Sequence, residues 1–315
     1  MIDNLCSALK KELELEKSDL EDLLFIKSLI NIILNNKVEI EQPIYTQRVF
    51  LKDSIKESLD FLNNIDSKYY ILLKDIIENK YINYNYDQNK VSNFIYKNNK
   101  KKINLAVAGN ISDSYSLTHE FFHYNNIDIN NITSNWYLIT ELLSMVAEIF
   151  QKEYFEKNGT IYKEYTYNEI YNYLGVLEKT YMLDFEIKIL EIYMKHKFID
   201  KNTIHYLLED KDDIYINAAF YDIYEITNTL TLNYPELQKY VISGVLSSHL
   251  LSIYNKNSNY DLFKYLNDNC NKMTFVETLE TMSLSLVDKK YVILSDNSLK
   301  ILEEEHKERI YSLIK

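Results

Sequence analysis

A mainly α fold, with one small β-hairpin set beside a helix, is what this sequence predicts, and three observations predict it. Only 4 Gly and 2 Pro interrupt 315 residues, so long helices joined by polar turns are expected. Two short extended runs, Val91 to Tyr96 and Ile103 to Ala108, flank the polar stretch Lys97-Asn98-Asn99-Lys100-Lys101-Lys102 and read as a hairpin. Soon after it comes His119-Glu120-Phe121-Phe122-His123, whose histidines, four apart, share one face of a helix.

In chain order, helices are expected near 3–17, 19–36, 51–64 and 67–79, followed by the hairpin at about 91–109. Gly109-Asn110 ends the second extended run, and Ser112 or Asp113 can cap a helix at about 113–127 that runs through Tyr115, Leu117, Phe121 and Phe122. The next helix, near 135–157, carries Glu141 and Glu148. Further helices are expected near 167–195, 203–210, 213–232, 235–255, 258–269 and 273–285. Tyr291-Val292-Ile293-Leu294 reads as a short strand, and a charged helix starts at Asp296, with Asp296 or Ser298 as its cap. The one soft boundary lies at Glu41-Gln42-Pro43, which divides the chain into a small N-terminal helical lobe, 1–45, and a catalytic body, 46–315.

The histidine pair carries the chemistry. On one helical face His119 and His123 can both reach one metal ion, while Glu120 turns toward the substrate side of it, the layout of a zinc peptidase site. With 6 His in the chain, such a pentapeptide arises by accident in roughly one such sequence in a hundred. A strand beside that helix suits a peptidase, because an extended peptide can add to a free strand edge through main-chain hydrogen bonds. Asn104, Ala106 and Ala108 are the candidates for that edge.

The run from Asn104 through Gly109, Asp113 and Leu117 to His123 resembles the metal motif of the thimet oligopeptidase and oligoendopeptidase F family, which places an extended segment, a Gly, an Asp and a Leu in this order before the first histidine. Thr140-Glu141-Leu142-Leu143-Ser144-Met145-Val146-Ala147-Glu148 is similar to the family's second metal helix, with two glutamates seven residues apart. The resemblance implies a zincin-like helical metallopeptidase holding one zinc ion on His119, His123 and Glu141, with Glu120 as general base. Glu148 then supports a histidine ligand, and Asp113 either does the same or caps its helix. The two glutamates lie about 10.5 Å apart along the axis, so only one can be a ligand. Glu148, 29 residues after His119, fits the family's usual gap better than Glu141, 22 after it; Glu141 is chosen because a loop shortens more easily than the paired-glutamate pattern shifts.

A third stretch, Leu232 to Leu246, resembles the family's Tyr-rich helix, whose last Tyr donates to the substrate carbonyl as it becomes an oxyanion. Tyr240 is the best match and Tyr234 the next. The resemblance covers roughly residues 50–285, and this chain departs from it in places. No His lies between His205 and His249 where the family has one before that Tyr; Phe122 stands where Gly is usual and Asn126 where His is; a Gly-rich substrate loop has no counterpart. Most of the family's large N-terminal helical region is missing too, which implies a more open cleft and a peptidase specialised for one peptide or leader.

A net charge of −12 argues against nucleic acid, since phosphate binding needs clustered Lys and Arg. Lys100-Lys101-Lys102 reads as a solvated hairpin tip. Cys6 and Cys270 are too few for a disulfide framework, no signal peptide is evident, and Leu23 to Leu34 is too short to span a bilayer, so no membrane partner and a cytoplasmic location are expected. A peptide is the expected partner. Two other classes remain: an inactive peptidase fold that binds a peptide, and a helical interaction protein with a chance motif.

Overall fold

The computed structural model describes residues 2–15, 23–87, 90–97, 100–126 and 134–314. Its helices are α1 (Ile2–Leu15), α2 (Leu24–Asn35), α3 (Leu51–Ile65), α4 (Ser67–Glu78), α5 (Ser112–Asn126), α6 (Ser134–Asn158), α7 (Tyr167–His196), α8 (Lys201–Leu208), α9 (Asp213–Thr229), α10 (Tyr234–Asn257), α11 (Asp261–Asn269), α12 (Phe275–Thr281) and α13 (Asp296–Ser312). The strands are β1 (Ile82–Asn85), β2 (Asn93–Lys97), β3 (Lys100–Ala106), β4 (Leu286–Asp288) and β5 (Ile293–Leu294). The chain is therefore mainly helical with two small sheets, as expected; the parts of the expected helices at 16–22, the tip residues 98–99 and the helix end at 127 lie outside the described residues.

Two compact units emerge, and their division differs from the expected lobe and body. The first comprises residues 1–38, 173–246 and 279–312; the second comprises 39–172, 247–278 and 313–315. In the first unit α1 packs on α9 and α2 on α13, elements far away in the chain. Leu5, Leu9, Leu29 and Ile33 are buried in this unit along with Ile223, Ile226 and Leu302.

Inside the first unit two buried acids meet. Burial raises both Glu186 and Asp222 above the usual carboxylate range, and the charge of Asp222 adds to the rise at Glu186. Glu186 Oε1 accepts the backbone N–H of Asn233 at 2.7 Å and Asp222 Oδ1 accepts Asn233 Nδ2 at 3.0 Å, so the pair anchors the start of α10. Further along α10, Gly244 leaves room for α7: a Cβ there would lie 2.4 Å from Val176 Cγ1.

The second unit positions the histidine motif. β2 and β3 form the expected hairpin, Asn93 opposite Asn104 through Lys97 opposite Lys100. β1, which is not apparent in the sequence, adds in parallel on the far side of β3, with Ile82 beside Ile103 and Asn85 beside Ala106. The sheet order is β1-β3-β2, with β1 beside residues 103–106 of β3 and β2 beside residues 100–104. α5 lies against this sheet and against α3 and α6. Phe121 and Phe122 are fully buried on it, Phe122 edge-on to Tyr69 of α4 and to Phe263 of α11. The position where glycine was expected is thus filled by an aromatic core residue.

Candidate metal centre

The turn from β3 into α5 sets the geometry. Gly109 has φ +74°, a left-handed conformation that glycine adopts without a Cβ penalty. Asp113 locks this turn, its two carboxylate oxygens accepting the N–H of Ala108 at 2.7 Å and of Gly109 at 2.9 Å. Asn110, not Ser112 or Asp113, caps the helix by accepting the Ser112 N–H at 2.8 Å. Burial pushes the Asp113 carboxyl up against the pull of those two backbone donors. Its oxygens are committed to the turn, away from the histidines.

One turn further on, the ring nitrogens converge. His119 Nε2 and His123 Nε2 are 2.9 Å apart; Glu141 of α6 faces both, with Oε1 3.3 Å from the first and Oε2 3.7 Å from the second. The three residues offer ligand atoms within 4.8 Å of one another. Each histidine is held from behind. His119 Nδ1 meets Glu148 Oε1 at 2.5 Å, and His123 Nδ1 meets Thr140 Oγ1 at 2.8 Å with Ser144 Oγ at 3.3 Å. The Glu148 contact assigns the His119 proton to Nδ1 and leaves the Nε2 lone pair facing inward; the hydroxyls allow the same tautomer at His123. Two lone pairs and a carboxylate aimed at one point repel each other unless a cation lies among them, and two His nitrogens with one carboxylate suit zinc. The donor set fits the ion.

The electrostatics agree with this. Burial alone would lower the His119 pKa, but its hydrogen bonds to Glu141 and Glu148 outweigh that and hold it well above the usual imidazole range, so the acceptors demand positive charge. Burial pushes Glu120 up to about 7, with Glu141 and Glu148 adding to the rise while His119 and a backbone hydrogen bond from Phe94 oppose it. Glu120 Oε2 is buried without a hydrogen-bond partner. His119, Glu120 and Glu148 share the wall of a cavity of about 380 Å³ with Lys90, Ser92, Ala106, Ala108 and Ser116.

The structure thus brings together His119, Glu120, His123, Glu141 and Glu148. Of the expected substrate edge, Ala106 and Ala108 line the cavity beside His119 and Glu120, past the last β2 pair at Asn104. Asn104 bridges the sheet, accepting from Asn83 Nδ2 and donating to Asn93 Oδ1, both at 2.9 Å. The Ala106 N–H goes to Ser92 Oγ at 3.0 Å and the Val107 N–H to the Asn85 carbonyl at 2.7 Å. Tyr234 and Tyr240 sit on the part of α10 that belongs to the first unit, Tyr234 buried and Tyr240 half-buried under the Lys239 ammonium, 5.2 Å from its ring centroid.

Four contributors escape the sequence reading: Thr140 and Ser144 behind His123, and Asn168 and Asn172 of α7, whose Nδ2 atoms both donate to Glu148 Oε2. Both are pairs of short polar side chains four apart on a helix, a spacing that puts them on one face and was the available signal.

No family model and no curated protein matches this chain. One solved structure does. The fold is similar to that of a protein from Chlamydophila abortus described as a "putative peptidase", with a TM-score of 0.56 and 12% identity over 99% of this chain and 55% of the other. At that identity the likeness is one of fold, and this chain spans about half the length of that protein. Among the described residues, no helix is long and apolar enough to cross a membrane.

Proposed function

We propose that this chain is a zinc-dependent endopeptidase, a short and divergent relative of the thimet oligopeptidase and oligoendopeptidase F group, acting on oligopeptides or one peptide leader. The observation that carries this reading is the convergence of His119 Nε2, His123 Nε2 and the Glu141 carboxylate on one point, with Glu120 on the wall of the adjoining cavity. A peptidase description attached to a distant fold neighbour agrees with it.

His119, His123 and Glu141 hold the ion. A zinc ion there supplies Lewis-acid polarisation of the scissile carbonyl and acidifies a water molecule. Glu120 takes the water's proton at Oε2 and delivers it to the departing amine, serving as base and then acid. Its buried position keeps bulk water from competing for that oxygen. Glu148, Thr140 and Ser144 fix the imidazole planes, so the nitrogens need no reorganisation to accept the metal. Tyr240 is assigned the donor to the developing oxyanion, with Tyr234 as the next candidate, and the peptide lies in the cavity beside 106–108 without pairing to β3.

The absence of any His between His205 and His249 favours one other reading, a peptide-binding fold without turnover. Metal analysis of freshly purified protein, followed by mass spectrometry of a mixed peptide library incubated with wild type and Glu120→Gln, separates the two. The enzyme reading expects about one zinc per chain in both proteins and cleavage by wild type alone. Zinc-loaded wild type that cleaves nothing would give the binding reading the lead.

A further inference from the structure

The Glu148 carboxylate is saturated with donors. Oε1 takes the His119 Nδ1 proton at 2.5 Å, while Oε2 takes the Nδ2 amides of Asn168 and of Asn172, the latter at 2.7 Å. Asn168 and Asn172 are four apart on α7 and project from one face, and both reach the cavity wall beside His119 and Glu120. We propose that Asn168 and Asn172 are positioning residues that hold Glu148 on His119 and off the metal, and so set the metal affinity of the site. This rests on the metallopeptidase reading.

α6 presents two carboxylates on one side of the helix, Glu141 and Glu148, each 6% exposed. A buried carboxylate lacking donors would turn to a nearby cation, because an unpaired charge in a low-dielectric site is costly. A carboxylate oxygen has two lone pairs, and the two amides occupy both on Oε2. That leaves Glu141 as the carboxylate directed at the paired histidine nitrogens. The choice of amides has its own physics. A Lys or Arg in their place would satisfy Glu148 equally well but would set a positive charge beside the cation site, whereas an amide donates without charge.

The test is the zinc dissociation constant, measured by competition with a chromophoric chelator. Losing a partner of this kind costs about 10- to 100-fold in metal affinity. Asn172→Leu removes the donor at similar volume and is expected to weaken zinc about 10-fold; Asn168→Leu is expected to act in the same direction. Asn172→Ser, which keeps a hydroxyl donor, should fall between Asn172→Leu and wild type and serves if Leu prevents folding. A general loss of structure would add to other changes, but a role through Glu148 would not. In a Glu148→Gln background the effect of the Asn172 substitutions should therefore largely disappear. Wild type that takes up no zinc would overturn the metallopeptidase reading. Wild type that binds zinc tightly while the Asn variants bind it equally well, or lose the same factor in the Glu148→Gln background, would overturn this inference alone.

Discussion

Two buried acidic clusters occupy this molecule, one in each unit, and they solve the same problem differently. Glu141 and Glu148 face imidazole nitrogens and amide donors, so their charge is met by groups that also gather a cation. Glu186 and Asp222 are both raised above the usual carboxylate range by burial, and Asn233 donates to one oxygen of each. The difference teaches that buried carboxylates alone do not define a metal site. What separates the clusters is nitrogen: two lone pairs turned inward by partners behind each ring.

The largest expected effect breaks the first cluster. His119→Ala or His123→Ala should each abolish stoichiometric zinc binding, while Glu186→Gln should retain it; plasma emission spectrometry of dialysed proteins checks this. Zinc lost equally from all three would erase the distinction between the clusters.

Next comes linkage to folding. Zinc at about 100 times its dissociation constant should stabilise wild type by about 2.7 kcal/mol, seen as a rise in Tm, and should leave His119→Ala unmoved. An equal rise in that variant would place the binding elsewhere.

The second cluster predicts a pH dependence of the opposite kind. A carboxyl whose folded-state pKa is raised binds its proton more tightly when folded, so its contribution is present at low pH and is lost as pH climbs from the usual carboxylate range through the folded value. Wild type should thus lose stability relative to Glu186→Gln as pH climbs from 4 to 8, by urea unfolding at each pH. Parallel profiles for the two proteins would show that the Glu186 carboxyl is not raised on folding.

The smallest effect concerns packing near that cluster. Gly244→Ala would force its Cβ against Val176 and should cost about 1–3 kcal/mol of stability. Gly244→Ala combined with Val176→Ala should recover part of that loss.

Much of this was legible from residue pattern alone. The helices at 51–65 and 67–78 carry clear apolar spacing, and Asp66 caps the second by accepting the Lys68 N–H at 3.0 Å. The histidine pair follows from helix periodicity, and Glu141 from the resemblance of residues 140–148 to the family's second metal helix. β1 was not legible, because Ile-Asn-Tyr-Asn buries only Ile82 and gains its place by pairing with a strand 18 residues later. The unit boundaries were hidden for a related reason: each unit is assembled from segments remote in sequence, and no local composition reports that. For Asn168 and Asn172 the spacing of four showed a shared face but not its partner, since only the fold sets Glu148 opposite them.

The Asp113 bracket on Ala108 and Gly109 ties the turn after β3 to the first turn of the histidine helix. One wall of the cavity and the histidine motif therefore share a single joint, and a substitution that reshapes that wall also disturbs His119 and Glu120. Ser92 Oγ, which lines the same cavity, accepts the Ala106 N–H and fastens 90–92 to that wall. Residues 106–113 thus behave as one mechanical piece, in which the cavity wall and the histidine helix shift together.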